Sequence, residues 1–123
     1  MNILIVDDNI NAAESMMDLL IPEGHQVRLC EDGWSAVEAY RQGDFQLVFM
    51  DLKMPGMNGI EATRQILEHD ANARIVVVTG NTVQEDLQTV ADLGIVKVFR
   101  KPYDVRNLLS LVEEEGNHNR SAS

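Results

Sequence analysis

The chain has 123 residues, 45% hydrophobic and 24% charged, the make-up of one ordinary globular domain with no room for a second. Its formal net charge is −10 and its only lysines are Lys53, Lys97 and Lys101, a surface that repels phosphate backbones and argues against nucleic-acid binding by this chain. Cys30 is the single cysteine, which excludes an internal disulfide and fits a reducing, cytoplasmic setting, and no apolar run approaches membrane-spanning length.

Ile3-Leu4-Ile5-Val6 reads as a buried strand, stopped by Asp7-Asp8-Asn9, a sequence unlike a secretory signal. From about residue 9 to 21, Ala13, Met16, Met17, Leu20 and Ile21 share one helical face, and Pro22 and Gly24 end that helix. Gln26 to Cys30 alternates polar and apolar, as an edge strand does. Ser35 to Tyr40 reads as a short helix closed by Gly43, with Trp34 packed at its start. Phe45 to Met50 is the third strand, and Asp51 to Gly59 is a loop rich in Gly, Pro and Asn. Ile60, Thr63, Ile66 and Leu67 mark the next helix. Ile75-Val76-Val77-Val78-Thr79 is the most β-branched run, and Gly80-Asn81 breaks it. Val83, Leu87, Val90 and Ala91 predict an amphipathic helix, Val96 to Phe99 a fifth strand, and Val105, Leu108, Leu109 and Val112 a last helix. The stretch 116–123 is polar and is expected to be a flexible tail to a domain spanning 1–115.

Strand and helix thus alternate five times, which implies an α/β fold with a parallel sheet covered by helices on both faces. In open sheets of this kind, sites lie beyond the carboxyl ends of the strands. Asp7 and Asp8 follow strand one, Asp51 follows strand three, Thr79 ends strand four and Lys101 follows strand five. Two like charges about 4 Å apart at an effective dielectric near 20 repel by about 4 kcal/mol, so three gathered acids call for a cation. All-oxygen donors suit a hard ion, and magnesium takes few protein ligands because it keeps several waters. A carboxylate can act as nucleophile toward phosphorus, and phosphoryl transfer needs positioning and cations more than covalent help.

Four segments carry a resemblance: Val6-Asp7-Asp8-Asn9, Met50-Asp51-Leu52-Lys53-Met54-Pro55-Gly56-Met57-Asn58-Gly59, Val78-Thr79-Gly80 and Arg100-Lys101-Pro102-Tyr103. Over about residues 1–115 they resemble, in order and spacing, the signatures of response-regulator receiver domains, the phosphoacceptor family of two-component signalling. The resemblance implies a single-domain, doubly wound, flavodoxin-like sheet of five parallel strands in the order 2-1-3-4-5. It makes Asp51 the phosphoacceptor, Asp8 the main Mg2+ ligand and Asp7 an acid that holds the metal mostly through water. The Lys53 backbone carbonyl becomes the third protein ligand, Thr79 the switch hydroxyl, and Lys101 the lysine that pairs with the acceptor and its phosphate. The Lys101–Pro102 peptide is usually cis in the family. A histidine kinase or phosphotransfer protein would be the donor. The chain would be a switch rather than an enzyme, catalysing only its own phosphoryl transfer and slow autodephosphorylation.

One position departs from the family pattern. Where Tyr or Phe commonly stands three residues before the lysine, this chain has Val98. Phe99 cannot replace it, because neighbouring strand residues point to opposite faces. The readout surface implied is the fourth helix, fifth strand and fifth helix, with Gln84, Gln88, Lys97, Arg100 and Arg106 exposed there and a homodimer through that face left open. Three other functions are weighed beside this one. A phosphohydrolase with an aspartate nucleophile usually has a second acid two residues on, where this chain has Lys53. A flavin mononucleotide carrier would set its phosphate against Asp7 and Asp8, which repel it. A docking module that is never phosphorylated need not keep the acids, Thr79 and Lys101. The histidines His25, His69 and His118 lack ligand spacing, and Cys30, Met16 and Met17 read as packing residues.

Overall fold

In the computed structural model of the chain, residues 1–80, 83–95 and 97–122 are described, with side chains as far as Asn117. The strands are β1 (Asn2–Val6), β2 (Gln26–Cys30), β3 (Leu47–Met50), β4 (Ile75–Thr79) and β5 (Val98–Arg100). The helices are α1 (Ile10–Leu20), α2 (Gly33–Gln42), α3 (Gly59–His69), α4 (Gln84–Asp92) and α5 (Val105–Ala122). All strand pairs are parallel, and the order is β2-β1-β3-β4-β5, as the resemblance implies. The Lys101–Pro102 peptide is cis. No described helix is long and apolar enough to cross a membrane.

Alternate strand residues feed two cores. Leu4, Val6, Val48, Met50 and Val77 pack with Ala36, Val37 and Tyr40 of α2, Ala62 and Ile66 of α3, and Val90 of α4. Ile3, Ile5, Leu47, Phe49, Val76 and Val78 pack with Ala13, Met16 and Leu20 of α1 and with Leu108, Leu111 and Val112 of α5. With both faces covered, β1, β3 and β4 have to be apolar almost throughout, which is the pattern in the sequence. Four helices begin on side-chain caps that accept backbone N–H groups: Asn9 from Ala12 at 3.1 Å, Asp32 from Ser35 at 2.7 Å, Asn58 from Glu61 at 3.0 Å and Asp104 from Asn107 at 3.2 Å. The loops after β1, β2, β3 and β5 thereby turn into helices at fixed points.

Several boundaries differ from the expectations, each for a local reason. Asp32 caps α2 two residues earlier than the expected start at Ser35, so Trp34 is the second helical residue and stays mostly exposed. Ile21, expected on the buried face of α1, begins a 3-10 turn (Ile21–Glu23) and is exposed, because Pro22 breaks the α pattern. Val83 caps α4 instead of packing within it, and both Val83 and Ala91 are exposed, leaving Val90 buried and Leu87 half-buried. β5 is described as Val98–Arg100, and Val96, the expected start, lies outside the described residues. Val98 is exposed and Phe99 packs toward the α1–α5 core, so the two point to opposite faces as expected. Helix α5 continues through the stretch expected to be a tail, as far as Ala122. Buried Glu115 helps hold it there, accepting from Arg74 Nε and Nη2, each at 2.9 Å.

Gly59, the first residue of α3, fixes how close that helix comes to β3. A Cβ there would stand 1.9 Å from the Asp51 carbonyl oxygen and 2.8 Å from Leu52 Cα, both backbone atoms that cannot swing away. Gly59→Ala should therefore destabilise the protein by about 1–3 kcal/mol in urea denaturation, the usual cost of forced overpacking. Gly80→Ala is the control: nothing lies within 4 Å of its would-be Cβ, and its effect should stay within about 0.5 kcal/mol.

Candidate functional site

Strand register builds the site. Val6 stands beside Met50 in the β1–β3 pair, so the next residues, Asp7 and Asp51, leave the sheet side by side. The Asp51 N–H donates to the Val6 carbonyl at 2.9 Å, and the Asp7 N–H donates to the Cys30 carbonyl at 3.0 Å. On the other side Thr79 pairs with Arg100, and the Lys101 N–H donates to the Thr79 carbonyl at 3.0 Å. All five strands thus anchor a stretch no more than two residues beyond their ends. Asp7, Asp51 and Thr79 are buried, whereas Asp8 and Lys53 are exposed.

Long-range pairing then closes the group. Lys101 Nζ donates to Asp7 Oδ2 at 2.6 Å and to Asp51 Oδ2 at 3.0 Å. One ammonium is therefore shared between the acids of two neighbouring strands. The second oxygen of each acid bonds within its own loop. The Asn9 N–H reaches Asp7 Oδ1 at 2.9 Å, an Asx-type turn, and the Lys53 N–H approaches Asp51 Oδ1 at a longer 3.4 Å. Asp7, Asp8 and Asp51 can each offer one carboxylate oxygen such that all three lie within 4.8 Å of one another. A donor set of three carboxylate oxygens from two strand ends, partly open at Asp8, fits a hard divalent cation that keeps some of its water. Beneath the site a cavity of about 440 Å3 reaches between α1 and the start of α5, walled by apolar groups including Met16, Phe49, Val78 and Tyr103.

Burial pushes the Asp7 carboxyl above its usual value, outweighing the lowering by Lys101 and by the Asn9 N–H, and the nearby Asp51 charge adds to the rise. For Lys101, burial works against the charged form, but the bonds to Asp7 and Asp51 more than offset it and raise the pKa. An ion pair alone would lower the acid while raising the base. Asp7 departs from that rule because its burial outweighs the lowering by Lys101, with the nearby Asp51 charge adding a lesser rise.

The structure brings Asp7, Asp8, Asp51 and Lys101 together and sets Thr79 and the Lys53 backbone at the border of that group. The expectation paired Lys101 with Asp51; its shorter bond is to Asp7. Ninety-four positions separate Lys101 from Asp7, and no local pattern announces such a contact. The role of Gly59 was also not read. Its signal was a glycine exactly where a loop ends and helical periodicity starts, with Asn58 as cap.

A family model described as a response regulator receiver domain matches residues 3–113. The chain is similar to sporulation initiation phosphotransferase F of Bacillus subtilis, 30% identical over 91% of this chain and 90% of that protein. It resembles the crystal structure of a CheY-like response regulator receiver domain protein from Methanospirillum hungatei, with a TM-score of 0.92 at 24% identity, covering 99% and 98% of the two chains. It also resembles a structure of the CheX-CheY-BeF3-Mg2+ complex from Borrelia burgdorferi, with a TM-score of 0.85 at 27% identity, covering 93% and 87%. Some curated relatives are longer, and the chain spans about half of their length, 45% and 49% in two cases.

Because Lys101 is the cation between two buried acids, Lys101→Met should destabilise the metal-free protein by about 1–3 kcal/mol, the cost of leaving buried charged groups without their partner. A base whose pKa is raised on folding stabilises fully below its ordinary value and loses that contribution as pH climbs through the folded value. The stability gap between wild type and Lys101→Met, measured by urea denaturation, should hold up to pH 10.5 and close above it.

Proposed function

The chain belongs to the response regulator receiver domain family of two-component signalling, and on that premise we infer that it is a phosphorylation-driven switch whose acceptor is Asp51. One observation carries the reading: oxygens of Asp7, Asp8 and Asp51 lie within 4.8 Å of one another while the Lys101 ammonium stands 3.0 Å from Asp51. A nucleophilic carboxylate, a place for a divalent ion and a fixed ammonium are the parts that phosphoryl transfer to a carboxylate requires.

Asp8, Asp7, Asp51 and the backbone carbonyl of Lys53 would hold Mg2+. When bound, the ion supplies positive charge against the phosphoryl oxygens and relieves repulsion among the acids. An Asp51 carboxylate oxygen bonds to phosphorus as the bond from phosphorus to the donor nitrogen breaks, and the freed imidazole of the donor takes a proton. Lys101 stays beside Asp51 and neutralises a phosphoryl oxygen. The Thr79 hydroxyl, at the end of the neighbouring strand, donates a hydrogen bond to the phosphoryl group. The donor is a histidine kinase or a phosphotransfer protein. Sporulation initiation phosphotransferase F, similar over nearly its whole length, supports a place in a relay. The free thiol of Cys30 and donors of this kind fit a reducing, cytoplasmic setting.

The added charge at Asp51 biases the β4–α4 loop and α4, and the readout is the face of α4, β5 and α5, which an effector or a second copy of the chain would cover. Its exposed members include Gln84, Gln88, Lys97, Arg100 and Arg106.

Incubation with a small acyl phosphate and Mg2+ should raise the intact mass by one phosphoryl group. Omitting Mg2+ should suppress the gain, and Asp51→Asn should abolish it; modification of that variant to the same extent would refute Asp51 as acceptor. In the phosphorylated protein, the backbone amide signals of Gln84, Gln88, Lys97, Arg100 and Arg106 should shift relative to the free form. Unchanged signals there would rule out this face as the readout.

A further inference from the structure

Trp34 is the only tryptophan of the chain, and 65% of it is exposed. The covered edge of the ring meets the β3–α3 loop. A Cβ on Gly56 would stand 3.5 Å from Trp34 Nε1 and 3.9 Å from its Cδ1, so the indole edge faces the side of Gly56 from which a side chain would project, at ordinary contact distance from that position. Gly56 has a φ of +73°, a conformation in which a side chain is strained. The residue before Trp34 makes a second contact with the same loop. A Cβ on Gly33 would come 2.7 Å from the Met57 carbonyl oxygen and 2.9 Å from Met57 Cγ, so the first turn of α2 abuts Met57 directly.

The loop is therefore gripped at two places. Gly59 seats its far end against the Asp51 carbonyl, and Gly33 and Trp34 brace Gly56 and Met57 from the start of α2. Lys53 lies between Asp51, whose N–H is tied to the Val6 carbonyl at 2.9 Å, and the braced Gly56; it is exposed, and its N–H reaches Asp51 Oδ1 only at 3.4 Å. Where the Lys53 carbonyl points thus depends on how firmly residues 56 and 57 are held.

We propose that Trp34 is a positioning residue for the metal site: its indole edge, set beside Gly56, steadies the loop that carries the Lys53 carbonyl. The proposal rests on the reading of Lys53 as a magnesium ligand. Magnesium demands near-ideal geometry, so a ligand that drifts costs affinity, and groups that orient a ligand typically change metal affinity by about 10–100-fold. Trp34 acts through the loop rather than on the ligand itself, and its effect falls at or below the low end of that range.

The test is calorimetric titration of MgCl2 into metal-free wild type, Trp34→Phe and Trp34→Ala, with the thermal midpoint of each metal-free protein measured alongside. Trp34→Ala should weaken Mg2+ binding by about threefold to tenfold. Its metal-free midpoint should stay near that of wild type, as for other surface substitutions. Trp34→Phe, which keeps a ring beside Gly56, should bind Mg2+ within about twofold of wild type. Equal affinity of wild type and Trp34→Ala would overturn the proposal. So would a loss of affinity matched by Trp34→Phe and accompanied by a lowered midpoint, the mark of general damage to α2. Failure of the wild type itself to bind Mg2+ would instead overturn the underlying metal reading, and with it the premise of the proposal.

Discussion

The sharing of one ammonium between two buried carboxylates is the constraint on which this molecule turns. Parallel pairing of β1 with β3 forces Asp7 and Asp51 into adjacent positions, and Asp8 follows at once. At an effective dielectric near 20, each pair of such charges about 4 Å apart costs about 4 kcal/mol, a large part of the net stability of a small domain. Lys101 offsets part of that cost from the opposite side, but one positive charge cannot neutralise three acids. The group therefore keeps an excess of negative charge. Burial raises the Asp7 carboxyl above its usual value, and the lowering by the ammonium 2.6 Å away does not cancel that rise.

The rest of the fold serves to hold those charges where they would not stay by themselves. β1, β3 and β4 are buried on both faces, so their register cannot slip without moving apolar side chains out of the two cores. Each strand then releases its functional residue within two positions of its end, before the backbone can wander. The cap at Asn9 turns the chain into α1 immediately after Asp7 and Asp8, and the cap at Asn58 starts α3 at the end of the loop that follows Asp51. Gly59 allows α3 to start in contact with the Asp51 carbonyl, which a side chain would prevent. Precision at the site comes from apolar packing below it and from the omission of a single Cβ beside it.

What the sequence discloses follows from the range of the forces involved. The central strands, the alternation of strand and helix, and the location of the acids at strand ends are local patterns, and they agree with the structure. Strand order and the part assigned to each site residue came from the likeness to a family. Contacts across long separations left no trace: Lys101 to Asp7 spans 94 positions, and Arg74 to Glu115 spans 41. Without the second of these, the polar composition after Gly116 looks like a tail, although α5 continues through it. Helix α4 failed in another way. The helix begins one residue after Val83, and Ala91 is exposed like Val83, so only Val90 and the half-buried Leu87 of the expected stripe are covered.

The weakness of α4 bears on how a charge added at Asp51 would travel. Among its described apolar residues Val90 alone is buried and Leu87 is half-buried, so little packing resists its displacement compared with α3, where Ala62, Thr63 and Ile66 are all buried. Elements with few buried contacts open or shift at the smallest free-energy cost. An aromatic ring at position 98 would couple β5 to that helix by filling space beneath it. Val98 is too short for that and is exposed, while Phe99 is committed to the core of α1 and α5. With no ring to rotate, the loosely seated helix itself is the part that the proposed switch would move. Coupling would then run through the end of β4, where the Thr79 carbonyl accepts from the Lys101 N–H and so links the charged cluster to the strand that leads toward α4.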